Sequence, residues 1–523
     1  MIASLNIASI LTQAVERYPD HVALVFKGRR WTYKEWNSRV NRLAHALAGL
    51  GVRTYDRVGL YVSTNEASVT TYFACQKLGA VAVPMNFRLS ATEADQILRD
   101  SGARILVYGS DHIGNVTQIE ESLRSVHDYI CVAKAEALVQ SQHYNYENLV
   151  STGPDFEPNC QVSADQLSAL VYTSGTTGRA KGVCHSHEND IAIAMNCVME
   201  YSLTHVDRAL HIAPLYHVGG MQAFFLPHML VGGTNVVEGR YDALRTLQTI
   251  QKKRITTLFA VPTQIQEMLF HPRFNEFDVS SLRMITTGGA PISAATMEKV
   301  LTEFCPNLFN GYGSTEASLT LLLHPEDALE RLGSCGKSTL VSRALVIAAD
   351  SNRDVRPDET LGTNEIGELI VCGPQMMSGY WNSPDESNKK LRHGWFYTGD
   401  LFRQDSDGFY YFSGRADDMM ISGGENIYPR EVEEVLYHCP GVQEVAVVGL
   451  PDNQWGQAVT AFIVRSDSQL TEASVAEFCR SSSRIAGFKR PKRIVFLDRL
   501  PTNPSGKVLK RQLVAEYTNV STL

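Results

Sequence analysis

The chain is 523 residues long, 44% hydrophobic and 20% charged, with a formal net charge of −8. That length exceeds what one hydrophobic core organises, so two or more domains are expected. The acidic balance excludes a general nucleic-acid binder, which carries a basic face. Ten scattered cysteines, with no Cys-x-x-Cys pair and no Cys/His ligand spacing, read as free thiols in a reducing cytoplasm rather than a disulfide framework or a thiolate metal site. No apolar run is long enough to span a bilayer. Residues 1–20 lack the basic start of a signal peptide and read as a helix feeding the fold.

In chain order, Thr32 followed by Glu35 forms a capping-box signature, and Trp36, Val40, Leu43 and Leu47 recur at helical spacing before Gly51. Residues 57–63 read as a strand, 66–78 as a helix, and 80–85 and 104–108 as further strands. This alternation predicts parallel sheets covered by helices. The apolar run 167–172 reads as a buried strand that stops abruptly in hydroxyls and glycines: Thr173, Ser174, Gly175, Thr176, Thr177, Gly178, then Lys181 and Gly182. Glycines that let backbone N–H groups approach an anion, four hydroxyl donors and a mobile ammonium together make a phosphate cradle. A P-loop is excluded, because Lys181 is followed by Gly182 where Ser or Thr is required. Taken alone, the loop is as readily an ordinary surface turn.

Strands are predicted again at 209–213, 234–237, 257–260 and 284–287. Asn310-Gly-Tyr-Gly-Ser-Thr-Glu316 reads as a second glycine–hydroxyl turn, ending in a carboxylate. Short apolar runs punctuated by Gly, Asp and Pro predict a small β subdomain over 333–411, which contains Trp395-Phe-Tyr-Thr-Gly-Asp400. After Gly414-Arg415-Ala-Asp417-Asp418 the pattern restarts, with a helix over 431–438, strands over 442–449 and 458–464, and a helix over 471–479. A separate domain of about a hundred residues fits this restart. It carries Ser422-Gly-Gly-Glu-Asn426 and Pro504-Ser-Gly-Lys507, besides a basic stretch at 488–493.

This ordered series of motifs resembles the adenylate-forming superfamily of acyl- and aryl-CoA synthetases, luciferases and nonribosomal adenylation domains, over nearly the whole chain. The resemblance implies an α/β fold: a large N-terminal adenylation domain over 1–416 of helix-covered sheets with a small β subdomain, and a small mobile α+β C-terminal lid over 417–523, hinged at Asp417. It implies ATP, Mg²⁺ and coenzyme A as cofactors, and a small carboxylic acid as substrate. No nucleic acid and no transmembrane segment are implied, and a homodimer is left open.

The resemblance further implies that the loop from Thr173 to Lys181 wraps the β- and γ-phosphates, and that Thr315 bonds the α-phosphate while Glu316 holds Mg²⁺. Asp400 and Arg415 match the ribose contacts. Gly289, Ala290 and Pro291 match the segment beside adenine, and Tyr312, within Asn310, Gly311 and Gly313, matches the ring that stacks on it. Lys507 matches the lysine that inserts between acyl carboxylate and α-phosphate, a role in which fixed charge meets developing charge. Gly423 and Gly424 match a loop presented to pantetheine after the lid turns. Trp455, Arg490 and Lys492 resemble the CoA-binding set of bacterial aryl-CoA ligases of the 4-chlorobenzoate type, in which the tryptophan stacks on adenine. Ala180 stands where the family usually has proline before its lysine, which removes no donor.

The acyl pocket matches His217, Val218, Phe259, Gly288, Gly311, Gly313, Ser318 and Leu319. His217 is read as a movable wall and as a candidate base for the CoA thiol, whose deprotonation stays unassigned. Glycine at 288 and 311, with leucine at 319, predicts a deep, apolar pocket. Hydroxycinnamates, larger benzoates and medium-chain fatty acids all fit it. An adenylating enzyme with another acceptor, such as a carrier-protein loader or luciferase, is one alternative, and a non-catalytic sensor is another. The lid residues favour CoA, and the presence of both Lys507 and Glu316 disfavours a sensor.

Overall fold

The computed structural model describes residues 5–133, 142–173, 180–350, 353–422, 425–452, 454–482, 484–502 and 507–518. The motif residues Ser174, Gly175, Thr176, Thr177, Gly178, Gly423 and Gly424 lie outside them.

Helices begin where the sequence supplies a side-chain acceptor for their first free N–H groups. Thr32 and Glu35 close a reciprocal capping box on the helix Tyr33–Gly49, as the sequence predicts. Asn6, which interrupts the apolar N-terminus, caps the helix Ile7–Arg17. The helix Glu66–Leu78 runs from a cap at Asn65 to left-handed Gly79 and is buried on all sides. Trp36, fully buried, donates its indole N–H to Thr70 at 2.9 Å and meets Phe73 edge-on at 5.2 Å. Burial of this kind, where truncation to alanine costs about 3–5 kcal/mol, locks these helices between two large sheets.

Among the described residues the first sheet has nine strands, in the order Lys337–Ser338, Ser318–Leu323, Leu308–Ser314, Met284–Thr287, Thr257–Phe259, Arg208–His211, Thr234–Val237, Val22–Phe26 and Arg29–Thr32. From Leu308–Ser314 to Val22–Phe26 the pairing is parallel, and both ends turn antiparallel. The second sheet has eight strands. Val81–Pro84, Arg57–Tyr61, Ile105–Gly109 and Asp128–Val132 run parallel to one side of Leu167–Thr173, and Lys181–Ser186 joins its other side antiparallel.

A five-stranded antiparallel sheet over residues 343–415 forms the small β part. The C-terminal domain is smaller: strands Met420–Ser422, Glu425–Ile427, Val442–Asp452, Gly456–Arg465 and Arg493–Leu497 carry the helices Pro429–Tyr437, Glu472–Ser481 and Lys510–Thr518. The expected α/β architecture is therefore present, with a large N-terminal and a smaller C-terminal domain. No helix among the described residues is long and apolar enough to cross a membrane.

Candidate active site

The strands Leu167–Thr173 and Lys181–Ser186 set Thr173 opposite Lys181, at the two feet of the predicted phosphate loop. Gly182 does not serve the turn as expected: it lies within the second strand. A β-carbon there would stand 3.0 Å from the Tyr172 ring and 3.2 Å from Trp381, so its glycine answers a close approach of side chains. Lys181 is also not a loose charge. Its Nζ lies 2.6 Å from Glu386 Oε2 and 5.5 Å over the ring of Tyr380. Hydrogen bonds from Lys181 and then Lys389 pull the Glu386 carboxyl down to about 2. Tyr380 in turn donates its hydroxyl to Glu316 Oε1 at 2.9 Å. Lys181, Tyr380 and Glu316 thus form one contiguous group. Sequence reading missed Tyr380 and Glu386, which are 199 and 205 positions beyond Lys181 and carry no local signal.

The second motif is not a turn over its whole length. Asn310 to Ser314 belong to the strand Leu308–Ser314, and only Thr315 to Ala317 form the hairpin tip before Ser318–Leu323. The parallel register carries the chain out of the sheet core, Gly313 lets the hairpin close, and Gly288 lets the neighbouring parallel strand leave the sheet past Gly311. A β-carbon at Gly313 would fall 2.0 Å from the Ser318 carbonyl oxygen, and one at Gly288 would fall 2.7 Å from that of Gly311. Asn310 donates its side-chain amide to the Ser334 carbonyl at 2.7 Å. The tip is pinned by Met377 N–H on the Glu316 carbonyl at 2.7 Å, and by His185 Nε2 on the Thr315 carbonyl at 2.9 Å.

Behind the tip, Tyr312 donates its hydroxyl to Asp400 Oδ2 at 2.6 Å, and Arg415 Nη1 lies 2.9 Å from Asp400 Oδ1. Asp400 and Arg415 face each other across an antiparallel pair. Burial, then Asp400, holds the Tyr312 hydroxyl well above the ordinary tyrosine range, so it stays a donor. Gly289 takes a left-handed φ of +82°, turning the chain so that Ala290 and Pro291 pass outward. Arg430 of the C-terminal domain then donates to the Ile292 carbonyl at 2.9 Å.

Lys507 comes to the same place. The residue is exposed as a whole, but neighbouring groups crowd its ammonium. Desolvation there, then Arg415, lowers its pKa from 10.5, while Asp400 and Asp418 act in the opposite sense. The structure therefore brings a lysine near the chain's end into the field of the Asp400–Arg415 pair.

On one face of the first sheet, Phe259 and Leu319 pack in a single cluster with Phe309 and Leu322. Gly311 lies against Leu319 and Leu322 of this cluster, with Gly313 against Leu319 and Gly288 against Gly311, while Val218 packs against the neighbouring core cluster. Phe259 approaches to 3.2 Å of a β-carbon built at Gly219. Burial pushes the His217 imidazole down to about 4, so the ring is neutral, and its Nε2 is buried without a hydrogen-bond partner among the described residues. Ser318, at φ +50°, buries an unpartnered Oγ. The depth expected from glycine at 311 is taken up: Leu319 Cδ1 lies 2.6 Å from where a Gly311 β-carbon would sit, so leucine fills the space that glycine vacates.

In the C-terminal domain, Asp452 accepts from the Trp455 N–H at 3.1 Å, and Lys492 Nζ stands 4.8 Å over the Trp455 ring. Arg490 is turned aside, donating to the Arg480 carbonyl at 3.2 Å.

Comparison with known proteins agrees with this layout. Residues 11–381 match the family model described as AMP-binding enzyme, and residues 431–507 match AMP-binding enzyme C-terminal domain. A feruloyl-CoA synthase from Amycolatopsis is 37% identical over 95% of this chain and 96% of its own length. A long-chain-fatty-acid–CoA ligase from Mycobacterium tuberculosis is 34% identical over 94% and 93%. The crystal structure of an anthranilate CoA ligase in complex with anthranoyl-AMP superposes with a TM-score of 0.92 at 27% identity, covering 100% of this chain and 99% of that one. The chain belongs to the AMP-binding enzyme family, among its acyl- and aryl-CoA ligases.

Proposed function

We propose that this protein is an ATP-dependent carboxylic acid–CoA ligase whose substrate is an aromatic acid of the benzoate or hydroxycinnamate type. One observation carries the reading: Lys507 lies in the electrostatic field of Arg415 and Asp400, and Asp400 is bonded to Tyr312, on the strand that leads to Thr315 and Glu316. In the first step the acid's carboxylate oxygen bonds to the α-phosphorus of ATP, pyrophosphate leaves, and an acyl-AMP mixed anhydride forms. Lys507 lies between the two reacting anions, and Lys181 with the 174–178 loop receives the departing pyrophosphate. Asp400 and Arg415 hold the ribose, for which Asp400 exchanges the Tyr312 hydroxyl or the guanidinium for ribose hydroxyls.

The Glu316 carboxylate accepts a neutral phenol and is ion-paired with no cation among the described residues, so its charge suits Mg²⁺, which takes one or two carboxylates besides phosphate oxygen. Bound there, the ion would neutralise phosphate charge. In the second step the CoA thiol gives its proton to solvent, its sulfur bonds to the acyl carbon, the acyl carbon–oxygen bond to phosphate breaks, and AMP leaves. The domain after Asp417 turns as a lid, and Trp455 with Lys492 holds the CoA nucleotide by stacking and charge. His217, neutral at physiological pH, is a wall of the acyl site. Catalysis of this kind in a closed cleft shields the anhydride from water. The cytoplasm, where ATP and CoA are held, is the compartment this activity needs.

The relative that acts on long-chain fatty acids favours a second reading, a fatty acyl substrate. Leu319 over Gly311 shortens the apolar space and favours the planar acid. The test is mass spectrometry of the enzyme mixed with ATP, Mg²⁺ and a candidate aromatic acid. An acyl-adenylate that accumulates without CoA and is converted to acyl-CoA on its addition is expected. Conversion of ATP to ADP would defeat the proposal.

A further inference from the structure

The first turn of the helix His187–Glu200 buries a carboxylate in an otherwise largely apolar face. Asp190 is fully buried. Its Oδ2 accepts from the Ser168 hydroxyl at 2.6 Å and from the Tyr72 hydroxyl at 3.4 Å. Its Oδ1 has no hydrogen-bond partner, yet lies 3.5 Å from His185 Nδ1. His185 is buried as well, on the strand Lys181–Ser186, and its Nε2 meets the Thr315 carbonyl oxygen at 2.9 Å. A carbonyl only accepts, so Nε2 carries the ring proton, and in a neutral ring Nδ1 is then a lone pair. Asp190 Oδ1 and His185 Nδ1 would both be acceptors unless a proton lies between them. Burial, which disfavours charge on either partner, pushes Asp190 up to about 7 and His185 down to about 4, so a neutral carboxyl beside a neutral ring is favoured over the ion pair.

We infer that His185, with the buried Asp190 carboxyl set beside its Nδ1, is a positioning residue that fixes the backbone carbonyl of Thr315, and with it the hairpin tip that presents Thr315 and Glu316 to ATP. A protonated Asp190 beside Nδ1 favours the His185 tautomer whose Nε2–H points at the tip. Without it, the ring can take the other tautomer and turn a lone pair toward the Thr315 carbonyl. The same tip is held from its other side by the Met377 N–H and the Tyr380 hydroxyl, so the pair supplies the third anchor. Misplacement of reacting groups by as little as about 1 Å costs up to about a hundredfold in rate. The effect therefore falls on adenylation, the step assigned above, on which this inference rests.

The experiment compares Asp190→Asn and His185→Gln, which keep an N–H donor at each link, with Asp190→Leu and His185→Leu, which do not. Acid-dependent ATP–pyrophosphate exchange is measured per folded molecule, alongside the thermal midpoint. The leucine variants should lose about ten- to a hundredfold in exchange rate, and the amide variants should stay within about threefold of wild type. Wild-type exchange in folded leucine variants would overturn the inference. So would a fall in thermal midpoint with unchanged rate per folded molecule, or equal losses in amide and leucine variants. Should the leucine variants not fold, ¹⁵N spectra of histidine-labelled wild type, with the His185 signals identified by their loss in His185→Gln, decide. The Nε2–H tautomer with Nδ1 accepting supports the pair, and Nδ1–H overturns it. A wild type that exchanges no pyrophosphate with any acid would defeat the ligase reading instead, and the tautomer would still test the pair.

Discussion

In the proposed reaction Lys181 must leave Glu386 before it meets phosphate, so the strength of that pair should be read out as ATP affinity. Its ammonium is 2.6 Å from Glu386, whose carboxyl falls from 4.5 to about 2. Taken at face value, that fall corresponds to about 3 kcal/mol. Two features reduce it. Glu386 keeps a third of its side chain exposed, and Lys389 takes its other oxygen at 2.9 Å. Exposed pairs are worth about 0.2–1 kcal/mol in practice, so the share belonging to Lys181 is about 1 kcal/mol at most. Phosphate oxygens must displace Glu386 to engage the lysine. Glu386→Gln removes the competitor, and 1 kcal/mol is about a fivefold change in an equilibrium constant.

The expected result is a two- to fivefold lower ATP KM (about 0.4–1 kcal/mol) in pyrophosphate exchange, with kcat unchanged. The sign with pH follows from the depressed carboxyl. The pair is fully present above about pH 4.5, the unfolded value, and is lost as pH falls toward about 2. The effect should therefore be constant from pH 6 to 8. An ATP KM that is unchanged or raised would refute the idea that Glu386 opposes phosphate binding.

Lys507→Ala should slow adenylate formation by about a hundredfold or more, as loss of a charge-stabilising donor does, while thioester formation from supplied acyl-adenylate survives; equal loss of both half-reactions would count against a lysine withdrawn by lid rotation. Leu319→Ala reopens the space above Gly311, and activity should shift toward acids longer or bulkier at the far end, read as a ratio of kcat/KM across a graded series; an unchanged ratio would remove Leu319 from the acyl site. Trp455→Ala should raise the KM for CoA by about five- to tenfold, from a lost stacking and cation–π contact of about 1 kcal/mol, with pyrophosphate exchange unaltered; a fall in exchange would place Trp455 elsewhere in the mechanism.

Local patterns carried much of the fold. The helix over 66–78 and the strands over 234–237 and 284–287 match their predicted limits, because each is a buried run closed by glycine or polar residues. The edges were less legible. Residues 310–314 read as a turn because their glycines mark flexibility, whereas in the sheet Gly313 admits the backbone of Ser318 and Gly311 the side chain of Leu319. Gly182 misled in the same way. The π-helical turn Met221–Phe225 has no sequence signature in this chain. Within the candidate site, residues on motifs could be proposed from the sequence. Their partners Tyr380, Glu386, His185 and Asp190 could not, since only the folded sheet brings them to Glu316, Lys181 and Thr315. Asp190 did leave one sign: a carboxylate among the apolar positions of a helix that otherwise packs inward.

The most direct measurement of the central claim is AMP release from ATP across benzoates, hydroxycinnamates and fatty acids of graded length, run with and without CoA. The account predicts that one aromatic class supports AMP release that rises strongly when CoA is added. Adenylate formation indifferent to CoA, whatever the acid, would contradict it and would take Trp455 and Lys492 out of the proposed CoA site.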